Sequence, residues 1–461
     1  MMSIVEFGRK LRAGETSAVA ITDECLRRID SDNARLNAFI LVLADEARRQ
    51  AREADEELAA GTDRGPLHGV PVSIKDLIDV RGTATTAASR VREGHRAEHD
   101  APVIANLRQA GAVLVGKTNL HEFAFGTTND DSAFGPARNP YDPMRSPGGS
   151  SGGSAASLAS GMALATVGTD TGGSVRIPAA ACGTVGLKPS FGELSTEGVV
   201  PLSPTLDHVG PLASTVMDAW YLYRGLLGRR TLRPLTALPI GDLRLAVARR
   251  YFCDLLDDEV RAQFDSGLEA LRVAGAQIDD IDIPHAGLIP SIYLHIVLGD
   301  AAAYHATTLE TVPERYTPAV RLRLEMGRYV LAEDYVRAIA GREVLRQEVD
   351  LALSEYDSLI LPTLPIPAPP LGAATVRVGS NEESVRSLML RLTQLFNLTG
   401  QPAISLPCGR TATGLPCGLQ LVGTRMQTDA LVRVALAVED VVGSEAPLAS
   451  PRVEDNPIWG Y

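Results

Sequence analysis

The sequence predicts an α/β fold, a large mixed, mostly buried β-sheet covered by helices on both faces. Three observations predict it. Short apolar segments at Val70–Ile74, Ala112–Val115 and Ala163–Val167 are too brief for helices, and glycine loops and helical patterns such as Ala101–Ala110 separate them. The chain of 461 residues is 45% hydrophobic and 22% charged, enough apolar material for a large core. No repeat of fixed period divides it into a solenoid.

In chain order, Ile4 to Leu11 and Ala18 to Ile29 space their apolar residues by three and four, with Ser17 as cap for the second. After the apolar run Ala38 to Leu43, Ala44 to Ala60 reads as a helix ended by Gly61. Residues 1–66 are thus a helical prelude and 67–228 the sheet-bearing core. A basic, proline-containing stretch between Arg229 and Pro239 interrupts the pattern. A strand at Leu243–Val247, a helix at Asp258–Val273 and a strand at Gln277–Ile283 follow it. Residues 229–374 therefore read as a helical elaboration of the same body. The strand Ser358–Leu361 leads into Leu361–Pro370, whose five prolines exclude an interior helix and predict a loop or rim. Residues 375–461 return to the sheet at Ala403–Leu406 and Gly418–Val422, so 1–461 reads as one domain.

Charge and cysteine usage exclude several functions. At a net charge of −12 and without a Lys/Arg run, no cationic footprint for nucleic acid exists. The Arg-rich Glu46–Arg52 is flanked by acids and reads as a solvated helix face. Five cysteines (Cys25, Cys182, Cys253, Cys408, Cys417) form no CxxC pair, so neither a disulfide framework nor a metal site is expected, and a reducing cytoplasm fits. The N-terminus lacks a signal-peptide pattern, and no apolar run approaches the roughly 20 residues that span a bilayer.

Three polar groups in unusual backbone carry the chemistry. Gly148 to Ser154 contains only Gly and Ser, a linker composition, yet it passes straight into the small-residue helix Ala155–Ser160. Gly148–Gly152 also satisfies the GxSxG elbow pattern, but the three prolines in Asn139–Pro147 exclude the strand an elbow requires. The second group is Ser174, closing Gly168–Ser174 behind a strand. There the backbone N–H groups of Thr171, Gly172, Gly173 and Ser174 can converge beside the hydroxyl as an oxyanion hole. A phosphate loop is disfavoured, because no GK[ST] ending is present and Asp170 would repel phosphate. The third is Lys75, followed by Asp76 at a strand end. Such a pair is usually a surface turn, and Lys75 becomes a base only where its surroundings lower its pKa.

Taken together these segments resemble the amidase signature family. The resemblance rests on Gly148–Ser154, Gly168–Pro178 and Cys182–Pro189, on the upstream His68–Asp76 and Gly116–Gly126, and on Asn397–Pro407. It spans essentially the whole chain. It implies the family's α/β fold and a Ser-cisSer-Lys triad of Ser174, Ser150 and Lys75, with Ser150 following a cis peptide bond. In the implied mechanism neutral Lys75 takes the Ser150 proton while Ser150 takes that of Ser174, which attacks an amide carbonyl and forms an acyl-enzyme. Ser151, Asp170 and Arg176 are expected to hold these loops. His68 and His121 read as structural or pocket-lining, and Cys182 as buried packing. Phe123, Phe125, Gly126 and Thr127, with the rim Pro362–Pro370, are the candidate substrate pocket.

The family hydrolyses aliphatic and aryl amides, peptide amides and carbamates, and it supplies the ammonia-generating subunit of amidotransferases that act on tRNA. For that last activity an arginine and an aspartate grip glutamine. Arg323 can supply the first, but Leu390 stands where the aspartate is expected. A stand-alone hydrolase of small amides with an apolar acyl or aryl pocket is therefore expected, with carbamates as the alternative. No cofactor, nucleic acid or membrane partner is expected, the substrate being a small-molecule amide or carbamate, and a homodimer is a possible assembly.

Overall fold

A computed structural model describes residues 2–229 and 235–443; residues 230–234, within the basic stretch, and 444–461 lie outside the description. Eleven strands form one sheet. In chain order they are β1 (Phe39–Val42), β2 (Pro71–Lys75), β3 (Val113–Thr118), β4 (Ala165–Asp170), β5 (Val185–Lys188), β6 (His208–Ala213), β7 (Arg244–Ala248), β8 (Gln277–Ile281) and β9 (Ser358–Pro362). The hairpin of β10 (Thr375–Val378) and β11 (Asn381–Ser384) stands apart, and β12 (Ala403–Arg410) and β13 (Pro416–Val422) complete the sheet. Its order is β1-β3-β2-β4-β6-β5-β12-β13-β9-β7-β8.

The sheet is mixed. β2 runs parallel to both β3 and β4, and β7 runs parallel to β8 and β9, whereas the middle from β4 through β6, β5, β12, β13 and β9 is antiparallel. Every residue of β2, β3, β4 and β6 is buried. Parallel strands covered on both faces need near-continuous apolar sequence, which is why their segments stand out in the chain. Pairing of Val72 with Ala165 and of Ile74 with Val167 sets the carboxyl ends of β2 and β4 side by side. Ligand sites in open α/β sheets form at such ends.

Helices α1 (Ile4–Arg12), α2 (Ala18–Leu36) and α3 (Ala44–Ala59) open the chain, followed by α4 (Pro102–Gln109), α5 (Gly152–Ala159), α6 (Arg176–Cys182) and α7 (Val216–Leu226). The Ser17 hydroxyl accepts from the Ala20 N–H at 3.0 Å, and α2 runs on past Ile29 until Asn37 takes a left-handed conformation. Helix α8 (Asp258–Val273) matches its expected span. The sequence pattern marks no helix in α9 (Ile289–Thr311), α10 (Pro318–Gly327) or α11 (Ala332–Leu353), nor in α12 (Val385–Arg391), α13 (Leu395–Thr399) and α14 (Thr428–Val442).

One helix corrects the sequence reading. Among the described residues Ala286–Thr311 is long and apolar enough, by length and composition, to cross a membrane, with mean hydropathy 1.4. Its apolar residues are interleaved with Ser291, His295, Asp300 and His305, so no unbroken run marks it. Half of that stretch is buried, and Ile292, Tyr293, Ile296, Val297 and Ala301 face the core.

Helix α5 packs by its small residues. A Cβ on Gly153 would collide with the carbonyl oxygens of Ala38 and Asn119. Gly153→Ala should therefore cost about 1–3 kcal/mol through overpacking, read as a lower urea midpoint. The Leu361–Pro370 segment follows β9 as a loop and lies on the approach to Gly148. Ser146 N–H donates to Pro369 O at 2.9 Å and Arg145 Nη1 donates to Ala368 O at 2.7 Å.

Candidate active site

Lys75 ends β2 with its side chain fully buried. Its Nζ donates to Ser150 Oγ at 2.7 Å and to Thr169 Oγ1 of β4 at 2.8 Å. Burial pushes its pKa down to about 7, against the opposing pull of the Asp170 and Asp207 carboxylates. A lysine near 7 is neutral in a large fraction of molecules at neutral pH. It can then take a proton rather than only give one.

Ser150 follows a cis peptide bond from Gly149 and is buried. Its carbonyl accepts from the His121 N–H at 3.1 Å, and the backbone of Thr127 and Thr128 presses on Gly149 so closely that a Cβ there would lie 2.9 Å from both. Ser151 Oγ donates to Thr169 O at 3.2 Å, and Ser151 N–H donates to Ser174 O at 3.3 Å. These two bonds tie the Gly/Ser loop to the end of β4 and to Ser174. Ser174 keeps 6% exposure while Ser150 and Lys75 keep none, so of the three it is the one open to a substrate.

The loop from Asp170 to Arg176 is fixed by a buried ion pair. Arg176 Nε reaches Asp170 Oδ2 at 3.0 Å and its Nη2 reaches Oδ1 at 2.9 Å, while its remaining donors go to Thr393 O, Gln420 Oε1 and Asn397 Oδ1. Asp170 also accepts from the N–H groups of Gly173 and Val175. Burial would raise its carboxyl pKa, but the charge and hydrogen bonds of Arg176, with Lys188 and Asn397, outweigh that and hold it well below the usual carboxylate range. The Gly173 N–H, one of the four amides expected to converge on an oxyanion, is therefore donated to Asp170 Oδ1 at 2.8 Å. On its other side Thr171 donates its hydroxyl to Asp207 Oδ1 at 2.6 Å. Burial raises Asp207 to about 6 despite that bond and the Ser203 and Leu202 amides.

The expected pocket residues divide. Phe123 packs its ring on His305 at 4.4 Å and Tyr316 at 5.6 Å. It lines a surface cavity of about 350 Å³ with Arg92, His95, Tyr304 and His305, among others, and none of Lys75, Ser150 or Ser174 borders that cavity. Phe125 lies under two guanidinium groups, Arg323 at 5.8 Å and Arg386 at 5.5 Å. Gly126 holds the His121 ring where any side chain would clash, and Thr127 abuts Gly149. Tyr293 of α9 and Leu390 of α12 press on Gly172, where a Cβ would strike the tyrosine hydroxyl. His68 is structural, its ring bonded to Ala54 O at 2.8 Å and Arg64 N at 3.1 Å. Cys182 is buried, and burial pushes its thiol pKa far up. Among the described residues no cluster of His, Cys, Asp or Glu could hold a metal.

An eleven-stranded mixed sheet with a buried lysine and a Gly/Ser loop at its carboxyl ends defines a hydrolase of carbon–nitrogen bonds. The family model described as Amidase matches residues 20–432. The chain belongs to the amidase signature family. It is 39% identical over 453 residues to an amidase of Pseudomonas putida, covering 95% of each chain. It is 36% identical to a glutamyl-tRNA(Gln) amidotransferase subunit of Koribacter versatilis, covering 93% of this chain and 96% of that one. A solved amidase crystal structure superposes with TM-score 0.91 at 39% identity, covering 96% of this chain and all of the other.

Sequence alone does not single out Thr169, Asp207, Tyr293, Thr393, Gln420 or Arg386. Asn397 lies inside one of the matching motifs without a role of its own, and only that motif offers a signal.

Proposed function

We propose that the protein is an amidase that hydrolyses small amides through a seryl acyl-enzyme, with Ser174 as nucleophile and Ser150 and Lys75 as its proton relay. The observation that carries this reading is the buried Lys75 Nζ, 2.7 Å from Ser150 Oγ, with its pKa pushed down to about 7. Neutral Lys75 accepts the Ser150 proton as Ser150 accepts that of Ser174. Ser174 Oγ bonds to the carbonyl carbon, the C–N bond breaks, and the proton held on Lys75 returns through Ser150 to the departing nitrogen. Water then adds to the acyl carbon by the same relay, releasing the carboxylic acid and free Ser174. The amides of Thr171, Gly172 and Ser174 supply the oxyanion donors, since that of Gly173 already serves Asp170.

The amidotransferase reading draws on one relative and on Arg323. It lacks a carboxylate to grip glutamine's ammonium, because Leu390 at that position is apolar and packed on Gly172. Purified protein should hydrolyse an aryl anilide or an aryl carbamate but not glutamine, and a fluorophosphonate probe should label Ser174. Absence of both turnover and labelling would sink the hydrolase reading. Glutaminase activity appearing only with added partner proteins would restore the amidotransferase reading.

A further inference from the structure

Arg386 sits in the first turn of α12, half-buried, over the Phe125 ring. Among the described residues no carboxylate forms an ion pair with it and no hydrogen bond engages its guanidinium. Its charged neighbour is another cation, Arg323, which shares the same ring and whose Nη1 donates to the Phe125 carbonyl. Burial draws the Arg386 pKa down to about 10, and the Arg323 charge adds to the effect. Arg323 has Asp131, Asp130 and Glu122 in its field, whereas Arg386 has only the neutral Tyr293 to favour its charge. Two cations brought together without a shared anion are unfavourable unless something else supplies one.

The position of this cation decides what that anion is. Phe125 is two residues from Thr127, whose backbone presses on Gly149 beside Ser150. Tyr293, the other neighbour of Arg386, presses on Gly172 beside Ser174. The guanidinium thus stands on the wall of the cleft that leads to the candidate nucleophile, reachable from both loops. A guanidinium offers a planar fork matched to a carboxylate. Leu390 packed on Gly172 adds no acid for an accompanying ammonium.

We propose that Arg386, assisted by Arg323, is a carboxylate subsite, and that the preferred substrates are small amides whose acyl portion carries a carboxylate, such as the half-amides of short dicarboxylic acids. The proposal rests on the amidase reading above for its placement in the substrate cleft, while its binding test does not depend on turnover. In Ser174→Ala protein, calorimetry should detect succinamate binding and find butyramide, its neutral counterpart, at least about tenfold weaker, as expected for a charge-assisted pair. Adding Arg386→Gln should weaken succinamate roughly ten- to a hundredfold and bring the two ligands to similar affinity, with Arg386→Lys recovering part of the difference. In the otherwise native enzyme the kcat/KM ratio of succinamate to butyramide should fall by the same factor on Arg386→Gln. Equal binding of the two ligands, or a loss on Arg386→Gln that falls equally on both, would overturn the subsite. Selective succinamate binding without turnover would uphold it and refute the amidase reading instead.

Discussion

Lys75→Ala should lower kcat by about 10⁴-fold or more, the upper end of what a positioned base contributes, because no other described base reaches Ser150 Oγ. The wild-type pH profile of kcat/KM should rise through about pH 7 as Lys75 loses its proton, and the residual activity of the variant should lose that limb. The same shift predicts a stability effect of definite sign. Between about pH 7 and 10.5 the unfolded chain holds a proton on this lysine that the folded chain has lost, so stability rises with pH across that window and the cost of burying the charge is full below it. Lys75→Met should consequently abolish turnover without lowering the melting temperature at pH 6. A large drop in that temperature, or retained turnover in Lys75→Ala, would count against the relay.

Arg176→Ala should be the most damaging substitution for folding. It leaves the Asp170 carboxylate in a dry interior with no counter-charge and frees the acceptors on Thr393, Gln420 and Asn397, at a cost of about 3–5 kcal/mol. The loop that carries Ser174 is anchored by the same pair, so turnover should fall along with the urea midpoint. Removing both charges in Asp170→Asn with Arg176→Met should cost less than the sum of the single changes, since neither partner is then stranded. Additivity of the two changes would show that the ion pair does not hold the loop.

Much of this site is legible in the sequence because the chemistry demands unusual residues side by side. Glycine and serine alone from 148 to 154, and a lysine closing an apolar run, have few other uses once they adjoin packed segments. What stays hidden is joined only by folding. Thr169 meets Lys75 across 94 positions and Arg176 meets Gln420 across 244, and neither distance leaves a local pattern. Arg386 looks like any helix-surface arginine until Phe125 and Tyr293 close around it. The fold divides in the same way. The parallel strands β2, β3 and β4 announce themselves as apolar runs, whereas β6 carries Gly210 and Pro211 inside the sheet, paired with Gly168 and Val167, where proline is rare enough to hide a strand. Helices α9 and α11 have no single apolar stripe, because each packs on neighbours along several sides.

The strands that meet at Lys75 and the loops that bear Ser150 and Ser174 all come from residues 71–176, while Tyr293, Arg323, Arg386 and Leu390 enter from α9, α10 and α12, far along the chain. Bond-breaking and substrate choice are thereby encoded in separate stretches of gene. A library confined to those three helices varies what is recognised while every proton-carrying atom stays fixed, so this scaffold can drift or be steered between substrates without relearning its reaction.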